Sequence, residues 1–298
     1  MKYSTILILS LFATLSACQS STSNTEVHSP LLVPAWQTSS SLQQPESVVY
    51  DTQRDTLFVS NVNGGPNDAD GNGYISQLSL NGEILEQHWL DGLNAPKGLA
   101  LVGNSLYVAD INELVVIDIA SKKIRQRYLA PNAKFLNDVA ADSKGNVYVS
   151  DMMTNTIHRL SNGQFEIWLH DDQLEAPNGL LIEGNKLLVG SWGNMTDGFS
   201  TKIAGHLKTI NIDTKHIESL GNKTPAGNLD GVEADGHGNY FVTDWMVGKL
   251  LHITPAGDSI TLIALDQGSA DLTVLLKQDL VIIPMMLSAK VMAFQIKE

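Results

Sequence analysis

Residues 136–151 read LNDVAADSKGNVYVSD, two short apolar runs joined by a polar turn that contains glycine. Each run has the length and composition of a β-strand, and the turn between them is typical of an antiparallel hairpin. The pattern recurs along the chain, each time with a polar residue in its second place. Its six copies begin at Pro45, Pro96, Leu136, Pro177, Leu229 and Ala270.

The copies follow one another at intervals of 40 to 52 residues, which is the period of four-stranded propeller blades. Within the third copy we expect strands at 138–142, 146–151, 156–161 and 164–169. Sustained helical periodicity is missing from the sequence, so the fold class is all-β. Units that cannot bury their faces alone tend to close into a ring, and the sequence therefore predicts a six-bladed β-propeller.

The sixth copy ends after its third strand, at about 292–296. An unpaired sheet edge invites association with other chains, so another segment has to cover it. We expect residues 31–37 to supply the missing outer strand and to close the ring. Two copies are longer than the rest, and their extra residues form loops at 63–72 and 192–204.

The N-terminus has the layout of a secretory signal, with Lys2 followed by an apolar stretch at 6–15. That stretch is too short to span a bilayer comfortably. The sequence Leu15-Ser16-Ala17-Cys18 resembles a lipobox, the motif at which bacterial lipoprotein precursors are cut and lipidated. The resemblance implies a signal peptide at 1–17 and a lipid on Cys18. Gln19 in the next place suggests the outer membrane, with the protein facing the periplasm.

Residues 18–30 are rich in Ser, Thr and Asn and are predicted to be a flexible tether, followed by the propeller at 31–298. The chain has a net charge of −13, and loss of Lys2 makes it one unit more negative. Such a protein is not steered towards nucleic acid or anionic lipid. We expect a monomer that acts on a small molecule and meets the membrane only through its lipid. With Cys18 lipidated, no thiol is left for catalysis or disulfides.

Ring closure would bring the second positions of the six copies to one mouth. Four of them, Glu46, Asn137, Asn178 and Asp230, offer carboxylate and carboxamide oxygens. Such oxygens suit Ca²⁺, Mg²⁺ or Mn²⁺ better than Zn²⁺, and the sequence predicts one divalent metal ion there. Alternatively, these residues cap strand starts and bond one another through water. The other two second positions are Lys97 and Asp271.

The last residues of the second strands should ring the same mouth, because each copy begins with an antiparallel hairpin. They are Asn61, Asp110, Asp151, Ser191, Asp244 and Pro284. The aspartates among them could instead bond the backbone amides of turns. Trp192 and Trp245, one place further on, are expected at the rim, with residues 192–204 as a partial lid.

Four stretches resemble the regucalcin and gluconolactonase family of six-bladed propellers. They are Pro45-Glu46, FLNDV at 135–139, PNGL at 177–180 and LDGV at 229–232. The likeness covers nearly everything after Glu46. It implies that Glu46, Asn178 and Asp230 bind one divalent metal ion, and that Asn137 contributes to metal or substrate binding. It also implies hydrolysis of sugar lactones or related esters.

The chain departs from the family pattern at Lys97, which could pair with a carboxylate or hold an anionic substrate, and at Asp271, an additional acid. The family-like general base is Asp230, and Asp271 is the competing candidate. We expect Lys97, Asp138, Trp192 and Trp245 to contact substrate. The rival interpretation is a non-catalytic binding or scaffold propeller of the NHL-repeat type in the cell envelope, since fold alone does not decide activity.

Weaker signals remain. The loop DADGNGYI at 68–75 matches the first part of an EF-hand calcium loop but lacks its final glutamate, and it could equally be a turn leading into a strand. The histidines have no metal-ligand spacing, and we expect most of them at solvated positions. Neither a Gly-x-Ser-x-Gly elbow nor a phosphate-binding loop occurs, which argues against serine hydrolases and nucleotide hydrolases.

Overall fold

The computed structural model describes residues 30–297, which form six four-stranded antiparallel sheets and one additional small hairpin. The first strand of the chain is β1 (Leu31–Gln37). Blade 1 consists of β2 (Pro45–Asp51), β3 (Thr56–Asn61), β4 (Gly73–Leu78) and β5 (Ile84–Leu93). Blade 2 consists of β6 (Pro96–Val102), β7 (Ser105–Asp110), β8 (Glu113–Asp118) and β9 (Lys123–Leu129). Blade 3 consists of β10 (Leu136–Ala141), β11 (Val147–Asp151), β12 (Thr156–Ser161) and β13 (Gln164–His170).

The second half of the chain repeats this arrangement. Blade 4 consists of β14 (Pro177–Glu183), β15 (Lys186–Ser191), β18 (Leu207–Asn211) and β19 (Ile217–Ser219), with the hairpin β16 (Met195–Asp197) and β17 (Ser200–Thr201) inserted. Blade 5 consists of β20 (Leu229–Ala234), β21 (Tyr240–Asp244), β22 (Lys249–Ile253) and β23 (Ser259–Ala264). Blade 6 consists of β24 (Thr273–Leu275), β25 (Leu280–Met285), β26 (Lys290–Lys297) and β1. Single 3-10 turns occur at Asp172–Leu174 and Met286–Ser288.

The first strand of each blade is the innermost, and these strands form a closed cycle. β2 packs against β6, β6 against β10, β10 against β14, β14 against β20 and β20 against β24, which returns to β2. Six apolar clusters hold the blades together, one at each interface between neighbouring blades. The predicted six-bladed propeller is therefore confirmed, and its stability comes from burial between blades.

The N-terminal strand closes the ring as the sequence predicts. β1 pairs antiparallel with β26, from Leu31 opposite Lys297 to Gln37 opposite Met292, with an irregularity between Pro34 and Trp36. The predicted signal peptide, the lipidation at Cys18 and most of the tether lie outside the described residues. Within 30–297, no helix has the length and apolar character that a bilayer crossing requires.

Most of the described histidines are exposed, as expected, and two are buried. His252 is 1% exposed and its Nε2 lies 2.8 Å from Asp235 Oδ2, while His158 is buried beside the ring of Phe165. Both lie on the third strand of a blade, which has a neighbouring strand on either side and neighbouring blades over its faces. The alternation of a strand does not by itself show whether its polar side is covered.

The loop before β4 has the geometry of a turn. The carboxylate of Asp68 accepts a hydrogen bond from Gly65 N–H, and that of Asp70 accepts two from Asn72. The loop leads directly into β4 at Gly73. These contacts fit the simpler of the two interpretations of this sequence.

Candidate functional site

Five of the six second positions line one cavity of about 240 Å³ at the mouth, the end of the ring where the inner strands begin. Each of these side chains is no more than 5% exposed. We call the five the polar floor; they are Glu46, Lys97, Asn137, Asn178 and Asp230. Residues separated by more than 180 positions in the chain thus meet at one site.

A bulge at the start of the inner strand in five of the six blades positions the floor. In blade 1, Pro45 pairs with Asn61 and Val48 pairs with Val59. Between these two pairs β2 advances by three residues and β3 by only two, so β2 contains one extra residue. Blades 2 to 5 have the same extra residue at the same place. A bulge re-aims side chains and leaves backbone groups unpaired. Here it holds the second position of each repeat, whose side chain reaches the cavity.

Serine and threonine hydroxyls compensate for the broken pairing in alternate blades. Ser60 Oγ accepts the N–H of Ser47, Ser150 Oγ accepts that of Asp138, and Thr243 Oγ1 accepts that of Gly231. These hydroxyl residues directly precede the last residue of the second strand. Sequence reasoning missed them, although their recurrence in VSN, VSD and VTD was visible.

The aspartates that end second strands bond backbone amides, which confirms the simpler of the two interpretations. Asp110 accepts from Asn94 and Ala95, and Asp151 accepts from Lys134 and Phe135. Asp244 accepts from Asn228 in the same way. These residues do not line the cavity; they hold the segment that leads into each inner strand, and so fix the place of the floor residue that follows.

Three floor residues carry buried polar atoms without any hydrogen-bond partner in the described structure. They are Glu46 Oε2, Asn137 Oδ1 and both amide atoms of Asn178. Leaving such atoms unpaired costs free energy unless a ligand satisfies them. Three of these atoms are hard oxygen donors, so the residues present fit a divalent cation such as Ca²⁺.

The ligand set depends on amide oxygens. Among residues 30–297 no group of three or more His, Cys, Asp or Glu side chains is placed to hold a metal ion. Only two of the four predicted ligands are carboxylates, and the others are asparagines. Such a mixed set favours oxygen-seeking cations over those that prefer imidazole or thiolate.

Burial dominates the electrostatics of the floor. It raises the pKa of Glu46 well above its usual value, and the charges of Asp230 and Asp271 raise it further. Burial and then Asp271 likewise raise the pKa of Asp230. A positive charge among these oxygens would favour the ionised carboxylates.

Lys97 brings one cation to the polar floor. Its Nζ donates to the carbonyls of Pro66 and Ala95, at 2.9 Å each, and lies 4.6 Å from the ring centre of Phe135. Burial lowers its pKa to about 8, against the opposing effect of Glu46 and then Asp110. The backbone thus restrains the ammonium group beside the carboxylate of Glu46.

Asp138 and Asp271 do not line the cavity and lie beneath the floor. Asp138 accepts hydrogen bonds from the N–H groups of Leu180 and Val139, and Asp271 Oδ2 accepts from Ser47 Oγ at 2.7 Å. Burial and then Asp271 raise the pKa of Asp138. Burial raises the pKa of Asp271 to about 7, although hydrogen bonds from Ser47 and then Asp138 act against it. The two carboxyl groups link inner strands of different blades below the mouth.

Aromatic and methionine side chains form the sides of the cavity, which we call the apolar wall. Trp192 and Trp245 belong to it, with ring centres 6.0 Å apart. Phe199, from the loop inserted in blade 4, packs at 5.5 Å from Phe135. The remaining members of the wall are Met152 and Met286. The inserted loop therefore covers part of the mouth.

Solved structures similar to this chain are named for different activities. A gluconolactonase from Xanthomonas campestris has a TM-score of 0.66 at 13% identity, covering 90% of each chain. A streptogramin B lyase has a TM-score of 0.63 at 14% identity, covering 90% of this chain and 98% of its own. Likeness at this level of identity shows the fold. A search of curated proteins gave no match.

The sequence profile of one family matches most of the propeller. The match runs from residue 44 to residue 273 and so includes every member of the polar floor. It begins just before β2 and ends at the first residue of β24, so it spans the inner strands of blades 1 to 5. The chain belongs to the SMP-30/gluconolactonase/LRE-like family.

Proposed function

We propose that the protein is a divalent-metal-dependent hydrolase of a lactone or related ester, with its metal held by the polar floor. The observation that carries the proposal is the set of unpaired buried oxygens on Glu46, Asn137 and Asn178, which share a cavity with Asp230. A purely structural role for these side chains would leave them hydrogen-bonded, as most buried polar groups are.

The four candidate ligands have defined tasks in this proposal. Glu46, Asn137, Asn178 and Asp230 would hold the cation, which when bound polarises a carbonyl and stabilises the charge that develops on its oxygen. Asp230 removes a proton from the water as the water oxygen bonds to the carbonyl carbon, and the bond between that carbon and the ring oxygen then breaks. The proton then passes to the departing alkoxide, so atoms and charge balance.

Lys97 and Asp271 have supporting tasks. Lys97 offsets the charge of Glu46 from within the polar floor, where two backbone carbonyls restrain it. Asp271 donates its backbone N–H to the carbonyl of Glu46 at 2.9 Å and lies below the floor, so we assign it to positioning Glu46. Asp230 is the base in this proposal because it lines the cavity itself.

The experiment measures metal and turnover separately. Protein equilibrated with Ca²⁺, Mg²⁺ or Mn²⁺ and then desalted should carry about one ion per chain, and a chelator should abolish hydrolysis across a lactone panel. Asp230→Asn should lower kcat by about 100-fold or more. Asp213→Asn, in an exposed turn of blade 4, is the matched control and should behave as wild type.

Two results would count against the proposal. Full turnover in the presence of chelator, or in Asp230→Asn, would exclude the assigned roles. Metal binding without turnover of any lactone or ester would instead favour a non-catalytic binding propeller.

A further inference from the structure

We infer that the substrate is amphipathic, a lactone or ester head group carrying an apolar tail, and that the mouth disfavours polyhydroxylated sugar lactones. The inference rests on the proposed function for the chemistry of the head group. The class of tail follows from the apolar wall, which is independent of any metal.

The wall consists of aromatic and methionine side chains that line the cavity. Phe135, Met152 and Trp192 belong to one buried apolar cluster at the mouth, against which Phe199 and Trp245 pack. Trp192 and Phe199 have ring centres 6.1 Å apart. Binding of an alkyl or aryl group against such a surface is favourable, because apolar area is removed from water.

Much of the hydrogen-bonding capacity around the cavity is already used. The indole N–H of Trp192 donates to the carbonyl of Phe199 at 2.8 Å, and Gln44 Oε1 accepts the N–H of Gly64. Two protons of Lys97 go to backbone carbonyls. Above the floor, this leaves the indole of Trp245 and the amide nitrogen of Gln44 as donors.

A sugar lactone would enter this cavity at a disadvantage. Each of its hydroxyls loses water on binding and needs a new partner, and an unpaired buried hydroxyl costs free energy. The free donors of the wall are too few for a ring of hydroxyls, whereas an alkyl tail makes no such demand. The cavity is therefore matched to a polar head at the floor and an apolar tail along the wall.

The wall also continues to the outside. Leu287 lines the cavity and is nevertheless 54% exposed. It directly follows Met286, another member of the wall. A tail too long for a cavity of about 240 Å³ can therefore extend over Leu287 towards solvent.

The test compares tails at constant head group. The probes are δ-valerolactone, δ-octalactone, δ-decalactone and glucono-δ-lactone, together with the lactams of the first three as non-hydrolysable analogues. Lactam binding is measured by titration calorimetry and tryptophan fluorescence, with and without Ca²⁺. We expect Kd of the lactams to fall roughly 3- to 4-fold per added methylene until the wall is covered, and kcat/KM of the lactones to rise in parallel.

A pair of leucines gives a matched control. Leu287→Gln should weaken binding of the δ-decalactone analogue by roughly 3- to 10-fold and that of the δ-valerolactone analogue much less. Leu276 is 50% exposed and lies in the turn between β24 and β25, away from the mouth. Leu276→Gln should therefore leave both affinities unchanged, and both variants should fold because the substituted side chains are exposed.

The outcomes separate the two proposals. Hydrolysis of glucono-δ-lactone at least as fast as that of the best aliphatic lactone, with no dependence of lactam affinity on tail length, overturns the amphipathic substrate and leaves the hydrolase in place. Lactam affinity that rises with tail length without turnover of any lactone supports the class of tail and overturns the hydrolase. If no lactone is hydrolysed and lactam affinity does not depend on tail length, both the hydrolase and the amphipathic substrate are overturned.

Discussion

Asn61 and Asn178 are both fully buried, yet only the amide of Asn61 is satisfied. Asn61 accepts the N–H of Gln43 and donates to the carbonyl of Val59 and to Ser76 Oγ. Asn178 is 1% exposed and neither of its amide atoms has a partner. Burial of an amide without hydrogen bonds costs about 1–3 kcal/mol. The chain bears this cost at Asn178, which is expected of a side chain that serves a ligand.

Substitution by leucine distinguishes these two roles. In metal-free protein, Asn178→Leu should leave Tm unchanged or raise it, because it removes unpaired polar atoms and preserves side-chain volume. It should also abolish the rise in Tm that Ca²⁺ produces in wild type. Asn61→Leu should lower Tm with or without Ca²⁺, since it leaves the groups bonded to Asn61 unpaired. Equal destabilisation by both substitutions in metal-free protein would show that Asn178 is structural.

The raised pKa of Glu233 leads us to expect that the stability of the protein depends on pH. It lies near the end of β20, on the side of the ring opposite the mouth. Val49, Leu181 and Val274 line a second cavity there. Glu233 is only partly exposed, and it lines this cavity too. This burial, and then the charge of Asp271, raise its pKa to about 8 from a usual value of 4.5. The folded state therefore holds the Glu233 proton more tightly than the unfolded state does.

The sign of the effect follows from this difference. Between pH 4.5 and 8 the unfolded chain has lost a proton that the folded chain retains, so Glu233 lowers stability increasingly as pH rises and reaches its limit near pH 8. Glu233→Gln removes this effect. Its Tm should match wild type at pH 4 and exceed it by roughly 2 °C or more at pH 8, as measured by calorimetry. The exposed Glu218→Gln is the control, and a Tm difference for Glu233→Gln that shrinks with rising pH would contradict the prediction.

At the scale of the element, the inner strands meet so closely that particular positions exclude a side chain. A Cβ atom on Gly179 would lie 1.8 Å from the carbonyl oxygen of Asp230, and one on Gly231 would lie 2.6 Å from the N–H nitrogen of Leu272. Backbone atoms cannot yield as a flexible side chain can. The glycine after a floor residue therefore allows the next inner strand to approach the axis and to present its own floor residue.

Gly179→Ala should consequently damage the site and the fold together. The added methyl group has to push β20 away, which displaces Asp230 from the polar floor. We expect a clear fall in Tm and at least a 10-fold loss of Ca²⁺ affinity. Gly145 lies in the turn before β11, and a Cβ atom added there would have no atom within 4 Å. Gly145→Ala should therefore cost only the strain of a left-handed backbone conformation, about 1 kcal/mol of stability. Its Ca²⁺ affinity should equal that of wild type; a similar loss in both variants would argue against crowding at the axis.

The strands of blade 3 show how far sequence reasoning reaches. The predicted strands at 156–161 and 164–169 agree with β12 and β13 to within one residue, because alternation and turn residues are local signals. The depth of a side chain is not local. The repeats align Asp271 with Asp230, but in blade 6 the inner strand starts only at Thr273, and Asp271 bridges to Ser47 of the neighbouring blade instead. Asp271 therefore lies below the floor, which no spacing in the sequence indicates.

At the scale of the whole molecule, the ring depends on a strand that comes from the opposite end of the chain. Blade 6 has only three strands of its own, and β1 supplies the fourth. Leu32 packs against the apolar cluster between blades 5 and 6, and Trp36 against the cluster between blades 6 and 1. The N-terminal strand therefore contributes side chains to both interfaces of the closing blade. Without it, β26 would be an exposed sheet edge.

Two truncations test this closure. A variant that begins at residue 30 keeps β1, and it should match the longer chain in Tm and in oligomeric state measured by light scattering. A variant that begins at residue 38 loses the packing of Leu32 and Trp36 and leaves β26 unpaired. We expect its Tm to fall by about 10 °C or more, and we expect it to self-associate, because an unpaired edge strand recruits other chains. If it instead stays monomeric with the Tm of the longer variant, the blades close without β1 and the polar floor does not depend on the N-terminal strand.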